Sequence, residues 1–294
     1  MWWSPRLRSL SARCTRSLSS VSVPSHGLST SSFGIAFDID GVLIRGGHEL
    51  PKARRVLESL RTNGVPHIFL TNGGGCMEED KAQNLSDVLG VPINPEHMIL
   101  SHTPMREISK TYGDSRVLIM GSRDVWNVAE NYGFKKVVSV KDLVRHNPTE
   151  YPFLHYEQKL APHHEEPIEA IIVMHDPIDW APEIQVAVDA LIGGNPPGSG
   201  NPSGKQTPFY AEGLLNTISG RAGPLQHIYG IGDNPMSDIQ GANNAGDGWT
   251  SVLVRSGIYD GTNEPEHAPD VTVDGVYEAI KHIYKREGID DSTL

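Results

Sequence analysis

From Phe33 onward, short apolar runs alternate with amphipathic stretches, and this rhythm restricts the chain to a parallel sheet flanked by helices. The runs GIAFDID, HIFLTN, MILS, RVLIMG, KVVSV, EAIIVM, HIYGIG and SVLVRS have the length and composition of buried strands. Between them ARRVLESLRTNG, DKAQNLSDVLG, VWNVAENYG, APEIQVAVDALIG and DIQGANNAG read as helices. Most of these close on a glycine suited to a left-handed cap. Chemistry in such sheets collects at the carboxyl ends of the strands, so the residues ending each run are the first candidates for function. Two stretches break the rhythm and read as loops: residues 145–167, polar with several His and Pro, and residues 193–204, GGNPPGSGNPSG. The resulting architecture is α/β, a Rossmann-like parallel sheet core over residues 33–102 and 201–294 with an inserted α/β cap domain over 103–200.

The first 32 residues carry Arg6, Arg8, Arg13 and Arg16 and many serines, and no acidic residue precedes Asp38. That composition predicts a mitochondrial presequence, with the matrix as destination; serines and arginines interrupt every run that could serve a secretory signal. The whole chain has a formal net charge of -11, which argues against nucleic acid as a partner, because binding its backbone needs clustered Lys and Arg. No apolar run approaches the roughly 20 residues of a transmembrane helix. With two cysteines, Cys14 and Cys76, neither a disulfide framework nor a Cys-rich zinc site is expected.

Three strand ends carry chemistry. GIAFDIDGV sets Asp38 and Asp40 just beyond an apolar strand, with Gly41 able to turn the chain off the sheet. Residues two apart on a strand share a face, so the two carboxylates are expected to converge, one ionised and the other holding a proton. GIGDNPMSDIQGANNAG adds Asp233 at a second strand end and Asp238 at the start of a helix. A hard cation such as Mg²⁺ takes oxygen ligands, and Asp38 with Asp233 suits one, although Asp238 equally suits a helix cap. IFLTNGGG ends a buried strand in Thr71 and Asn72, and the glycines from Gly73 let several backbone N–H groups face one anion. Other motifs are weaker. SGNPSGKQT has neither the glycine placement nor the Ser or Thr of a nucleotide P-loop, and His163 and His164 with Glu165 and Glu166 lack the spacing of a zinc site. His175 and Asp176, ending the EAIIVM run, are candidate substrate contacts, with an ordinary strand-end turn as the alternative.

In order, DIDGV, TNGGG, GK and GDNPMSD resemble the four motifs of the haloacid dehalogenase superfamily. The pattern is most similar to its subfamily IIA and, within that, to the mitochondrial group named after the cat eye syndrome critical region. The resemblance implies a magnesium-dependent phosphatase acting on a small phosphorylated metabolite. Asp38 would be the nucleophile, Asp40 the proton carrier, Thr71 and Lys205 the phosphoryl holders, and Asn72 and Gly73 substrate-binding. Asp38, Asp40, Asp233 and Asp238 would hold the metal. It also implies a substrate drawn from phospholipid precursors or cofactors, and it allows a homodimer. Asp40 favours phosphate esters, since an alcohol leaving group needs a proton and a halide does not. The same resemblance predicts a further cap strand and core helix before Lys205, where this chain has only GNPPGSGNPSG. The shortfall raises a second expectation, a binding or scaffold protein that keeps the fold and has lost turnover.

Overall fold

A computed structural model describes residues 31–192, 207–211 and 225–294. The expected presequence therefore lies, but for its last two residues, outside the described residues, as do the loop expected at 193–204 and Lys205. The chain divides into two compact units, Met1–Phe69, Asn84–His97 and Leu215–Leu294 in the first, Leu70–Gln83 and Met98–Leu214 in the second.

In chain order the strands are β1 (Phe33–Asp38), the short hairpin β2 (Ile44–Arg45) and β3 (His48–Glu49), β4 (His67–Thr71), and β5 (Met98–Leu100). Then follow β6 (Arg116–Met120), β7 (Lys136–Val138), β8 (Ala170–Val173), β9 (Phe209–Tyr210), β10 (His227–Gly232), β11 (Trp249–Val254) and β12 (Val271–Val273). One sheet runs β12-β11-β10-β1-β4-β5, and a second runs β7-β6-β8-β9.

In the first unit β1, β10, β11 and β12 are parallel neighbours, with Phe37 opposite Ile231 and Ile231 opposite Val252. Burial of Phe33, Ile35, Phe37, Tyr229, Ile231, Val252 and Leu253 makes these strands the spine of the core. Phe37 stacks on Phe69 at 6.2 Å between ring centroids. The helices Ala53–Thr62 and Val276–Glu287 meet through a buried hydrogen bond of 2.9 Å between Ser59 Oγ and Tyr284 Oη. The register of β1 against β10 brings the carboxyl ends of both strands, Asp38 and Gly232–Asp233, to the same edge.

In the second unit the parallel pairs β6–β7, β6–β8 and β8–β9 build a four-stranded sheet covered on both faces. Leu118, Met120, Ile171 and Val173 point into one apolar cluster and Val117, Ile119, Ala170 and Ile172 into another, the alternation that a doubly covered strand requires. A capping box at Ser139 and Asp142 starts the helix Val140–His146, which extends into the stretch read from the sequence as loop. Phe209–Tyr210 lie within the segment assigned from the sequence to the returning core, yet they pair with Ile171–Ile172 of β8. An exposed parallel edge offers unpaired N–H and C=O groups, and the extended TPFY stretch satisfies them.

Candidate active site

The first unit gathers three carboxylates at the ends of β1 and β10. One oxygen each from Asp38, Asp233 and Asp238 lies within 4.8 Å of the others. The local sequence explains how they fit. A Cβ on Gly257 would strike the Asp233 carboxylate, and one on Gly41, which has φ of 91°, would do the same. At these positions glycine gives Asp233 its space. Asp233 Oδ2 accepts the Ile258 N–H at 2.5 Å, and Ser256 Oγ donates to the Gly41 carbonyl at 2.6 Å, so the β11 exit loop clamps the DxD turn. Asp238 sits on a π-helical turn, Pro235–Ile239. Its carboxylate accepts the N–H groups of Asp233 and Asn234, both at 3.0 Å, and the Ser237 hydroxyl at 2.7 Å. Asn234 is the residue that caps this turn, taking the Met236 N–H at 3.0 Å.

Concentrated negative charge in a desolvated place raises proton affinity. Burial, then the charges of Asp238 and Asp233, push Asp38 up to about 8. Burial also raises Asp233 and Asp238, against the pull of the backbone hydrogen bonds they accept. Carboxylates crowded together and raised in this way are relieved by a divalent cation, and an all-oxygen donor set suits a hard cation.

The Asp40 side chain is not one of the three whose oxygens converge. The strand period expected to bring it alongside Asp38 stops at Asp38 itself. Ile39 and Asp40 have already left β1 for the turn, where Asp40 forms an isolated bridge with Ile44 and is exposed. Its charge still contributes to raising Asp38 and Asp233.

The second unit holds the glycine loop. Thr71 is buried at the end of β4, and its Oγ1 accepts the Gly73 N–H at 3.0 Å, which leaves the hydroxyl a proton to donate. Asn72 is exposed, while Gly74 and Gly75 are buried. Arg123 Nη1 donates to the Gly74 carbonyl at 3.3 Å, and the Asp124 N–H donates to the Gly75 carbonyl at 3.2 Å. His175 lies against Gly74, its Cδ2 being 3.3 Å from where a Cβ would stand. Its Nδ1 is 3.0 Å from the Asp176 carbonyl and 2.8 Å from Ser122 Oγ, which itself donates to that carbonyl. Asp176 thus acts here through its backbone, with an exposed side chain.

Sequence reasoning missed two parts of these sites. The Ser256–Ile258 clamp was marked only by a glycine directly after the SVLVRS strand, a signal that could have been read. His102, which closes on Gly74 beside His175, was marked only by its place after the MILS strand.

A model of the haloacid dehalogenase-like hydrolases matches residues 35–135, and a HAD-hydrolase-like model matches 203–279. The mitochondrial hydrolase YKR070W of Saccharomyces cerevisiae is 30% identical over 332 residues, covering 83% of this chain and 93% of that protein. A cardiolipin synthase (CMP-forming)/mitochondrial hydrolase fusion protein of Schizosaccharomyces pombe is 31% identical over 314 residues, 84% of this chain but 52% of that protein. Dihydroxyacetone phosphatase of Corynebacterium glutamicum is 26% identical over 256 residues, 76% of this chain and 81% of that one. Among solved structures, 4-nitrophenylphosphatase from Thermotoga maritima shares the fold, with a TM-score of 0.53, 20% identity and coverage of 87% and 99%. The yeast alignment is longer than this whole chain of 294 residues while using only 83% of it, so many positions of the relative have no counterpart here.

Proposed function

The chain belongs to the haloacid dehalogenase-like hydrolases and is a phosphohydrolase, and on that premise we propose that it hydrolyses small phosphate esters with magnesium through an aspartyl-phosphate at Asp38. The observation that carries this reading is the convergence of Asp38, Asp233 and Asp238, one buried and two half-buried acids whose crowding asks for a cation. Those three side chains would hold magnesium, which when bound neutralises the nucleophile and the phosphoryl oxygens.

Asp38 Oδ attacks phosphorus and the bond to the ester oxygen breaks. Asp40, on its exposed turn, gives that oxygen a proton and later takes one from the water that attacks the aspartyl-phosphate. Thr71 donates its hydroxyl to the phosphoryl group while the Gly73–Gly75 backbone supplies further donors, with Asn72 at the substrate. Lys205, two residues into the second family match, is assigned by resemblance to neutralising the phosphoryl group. His175 contacts the alcohol portion of the ester.

The basic leader and the names of the two yeast relatives support a mitochondrial location, which we place in the matrix. The fusion of one relative to a cardiolipin synthase favours a phospholipid-precursor phosphate as substrate. The test is turnover by the purified protein on an aryl phosphate and then on a panel of phosphate monoesters, with magnesium or with a chelator. Chelator-sensitive hydrolysis is expected. A fluorescent fusion of residues 1–32 should enter mitochondria, and a diffuse cytosolic signal would count against the leader.

The long alignment with the yeast hydrolase favours a second reading, a chain that keeps the fold and lacks turnover because a segment is missing. Silence on the whole ester panel with magnesium present would select it.

A further inference from the structure

Behind the glycine loop the second unit buries a chain of polar side chains that the proposed mechanism does not use. Glu78, 4% exposed, accepts the Tyr132 hydroxyl at 2.6 Å, the Thr103 hydroxyl at 2.7 Å and Arg106 Nη2 at 3.2 Å. Since the Tyr132 proton goes to Glu78, its oxygen accepts from His102 Nδ1, 2.9 Å away. Arg106 also lies over the Tyr132 ring at 4.6 Å. The series fixes His102 as the Nδ1–H tautomer. Burial lowers its proton affinity against the Glu78 charge and the nearby Cys76 backbone, which both oppose it, with His175 and Arg106 adding to the lowering, so the ring is neutral.

The other edge of His102 faces Gly74. His102 Cδ2 is 2.8 Å and Ser101 Oγ 2.7 Å from where a Gly74 Cβ would stand, and His102 Nε2 and Ser101 Oγ are both buried without a hydrogen-bond partner. Leaving two such atoms unpaired is costly, and buried polar atoms are normally satisfied. They stand against the backbone three residues past Thr71, where an entering anion would draw the loop N–H groups.

We propose that His102 is a positioning residue for the loop that follows Thr71, its ring held by the Arg106–Glu78–Tyr132 series so that its Nε2 edge, with Ser101 Oγ, backs Gly74 when the loop closes on a phosphoryl group. The proposal rests on the reading of that loop as phosphate-holding. It predicts that the orphaned atoms gain a partner, a loop N–H or a bridging water, when an anion is bound.

The experiment uses the full chain and inorganic phosphate. Nitrogen-15 spectra of the imidazoles should show His102 with a protonated Nδ1 and an unprotonated Nε2, and the Nε2 signal should move on adding phosphate. Tyr132→Phe should weaken phosphate binding about tenfold, the worth of one buried hydrogen bond, while leaving the magnesium-induced rise in melting temperature unchanged. If Tyr132→Phe does not fold, Glu78→Gln keeps the shape and carries the same expectation. A wild type that binds no phosphate overturns the loop reading and this inference with it. Phosphate binding that Tyr132→Phe leaves unaltered, even at a lowered melting temperature, overturns only the positioning role, as does an Nε2–H tautomer.

Discussion

The carboxylate cluster of the first unit and the histidine series of the second both bury ionisable groups beside a glycine-bearing turn, but they balance charge in opposite ways. Asp38, Asp233 and Asp238 are all acids, and burial with mutual repulsion raises them. Glu78, by contrast, is matched by three donors, and the imidazole it steadies is neutral. A site that must bind a cation stays electrostatically incomplete, whereas a site that must hold a loop in one shape is completed by its own side chains.

The sharpest way to break this comparison is Asp38→Asn. An amide cannot form an acyl-phosphate, so turnover on an aryl phosphate should fall to background. Removing one of three repelling charges should at the same time raise the melting temperature measured in chelator. Wild-type turnover would show that Asp38 is not the nucleophile, and an unchanged or lowered melting temperature would show that repulsion does not strain the cluster.

Magnesium itself should sharpen it next. At a hundred times its dissociation constant a ligand that binds only the folded state adds about 2.7 kcal/mol. The wild type should gain that stabilisation and Asp233→Asn should lose most of it, while Tyr132→Phe should keep it. Equal gains in all three proteins, measured by calorimetry, would place the ion elsewhere.

Gly74→Ala tests the second region alone. The new methyl would sit 2.7 Å from Ser101 Oγ and 2.8 Å from His102 Cδ2, both buried, so the loop must shift. The expected cost is about 1–3 kcal/mol of stability, with phosphate affinity reduced and magnesium binding retained. A variant as stable as wild type would mean that the wall behind the loop yields.

The smallest expected effect lies in the same unit, away from both sites. Burial raises Glu150 from its ordinary value to about 7, and the charge of Asp189 adds to it. A carboxyl with a raised folded value binds its proton more tightly in the native state. Its contribution is therefore full below about 4.5, the unfolded value, and is lost as pH rises through about 7. Melting temperature followed between these limits should decline with pH, by roughly 4 °C per kcal/mol lost. Glu150→Gln should flatten the curve, and an identical slope in both proteins would dismiss the linkage.

Much of this molecule was legible in its sequence. Strand and helix periods depend on burial patterns that neighbouring residues carry, and so the runs ending in Asp38, Thr71, Gly232 and Met120 could be read as strands before any fold was known. The candidate acids could be read too, because a strand end is a local feature with a fixed place in a parallel sheet. Pairing was not legible. That Phe209–Tyr210 fill the edge of β8 depends on which edge was open, and that the Asp40 side chain is not one of the three that converge depends on where β1 stops. Residues 78, 102 and 132 fall on three separate segments, and nothing in their spacing says that they meet. The sequence by itself determined the α/β architecture and the acids at the strand ends, since both follow from local periodicity. Only the tertiary structure decided which acids share a site and that a buried histidine stands behind the glycine loop, because hydrogen bonds between distant segments exist only once the chain has closed around them.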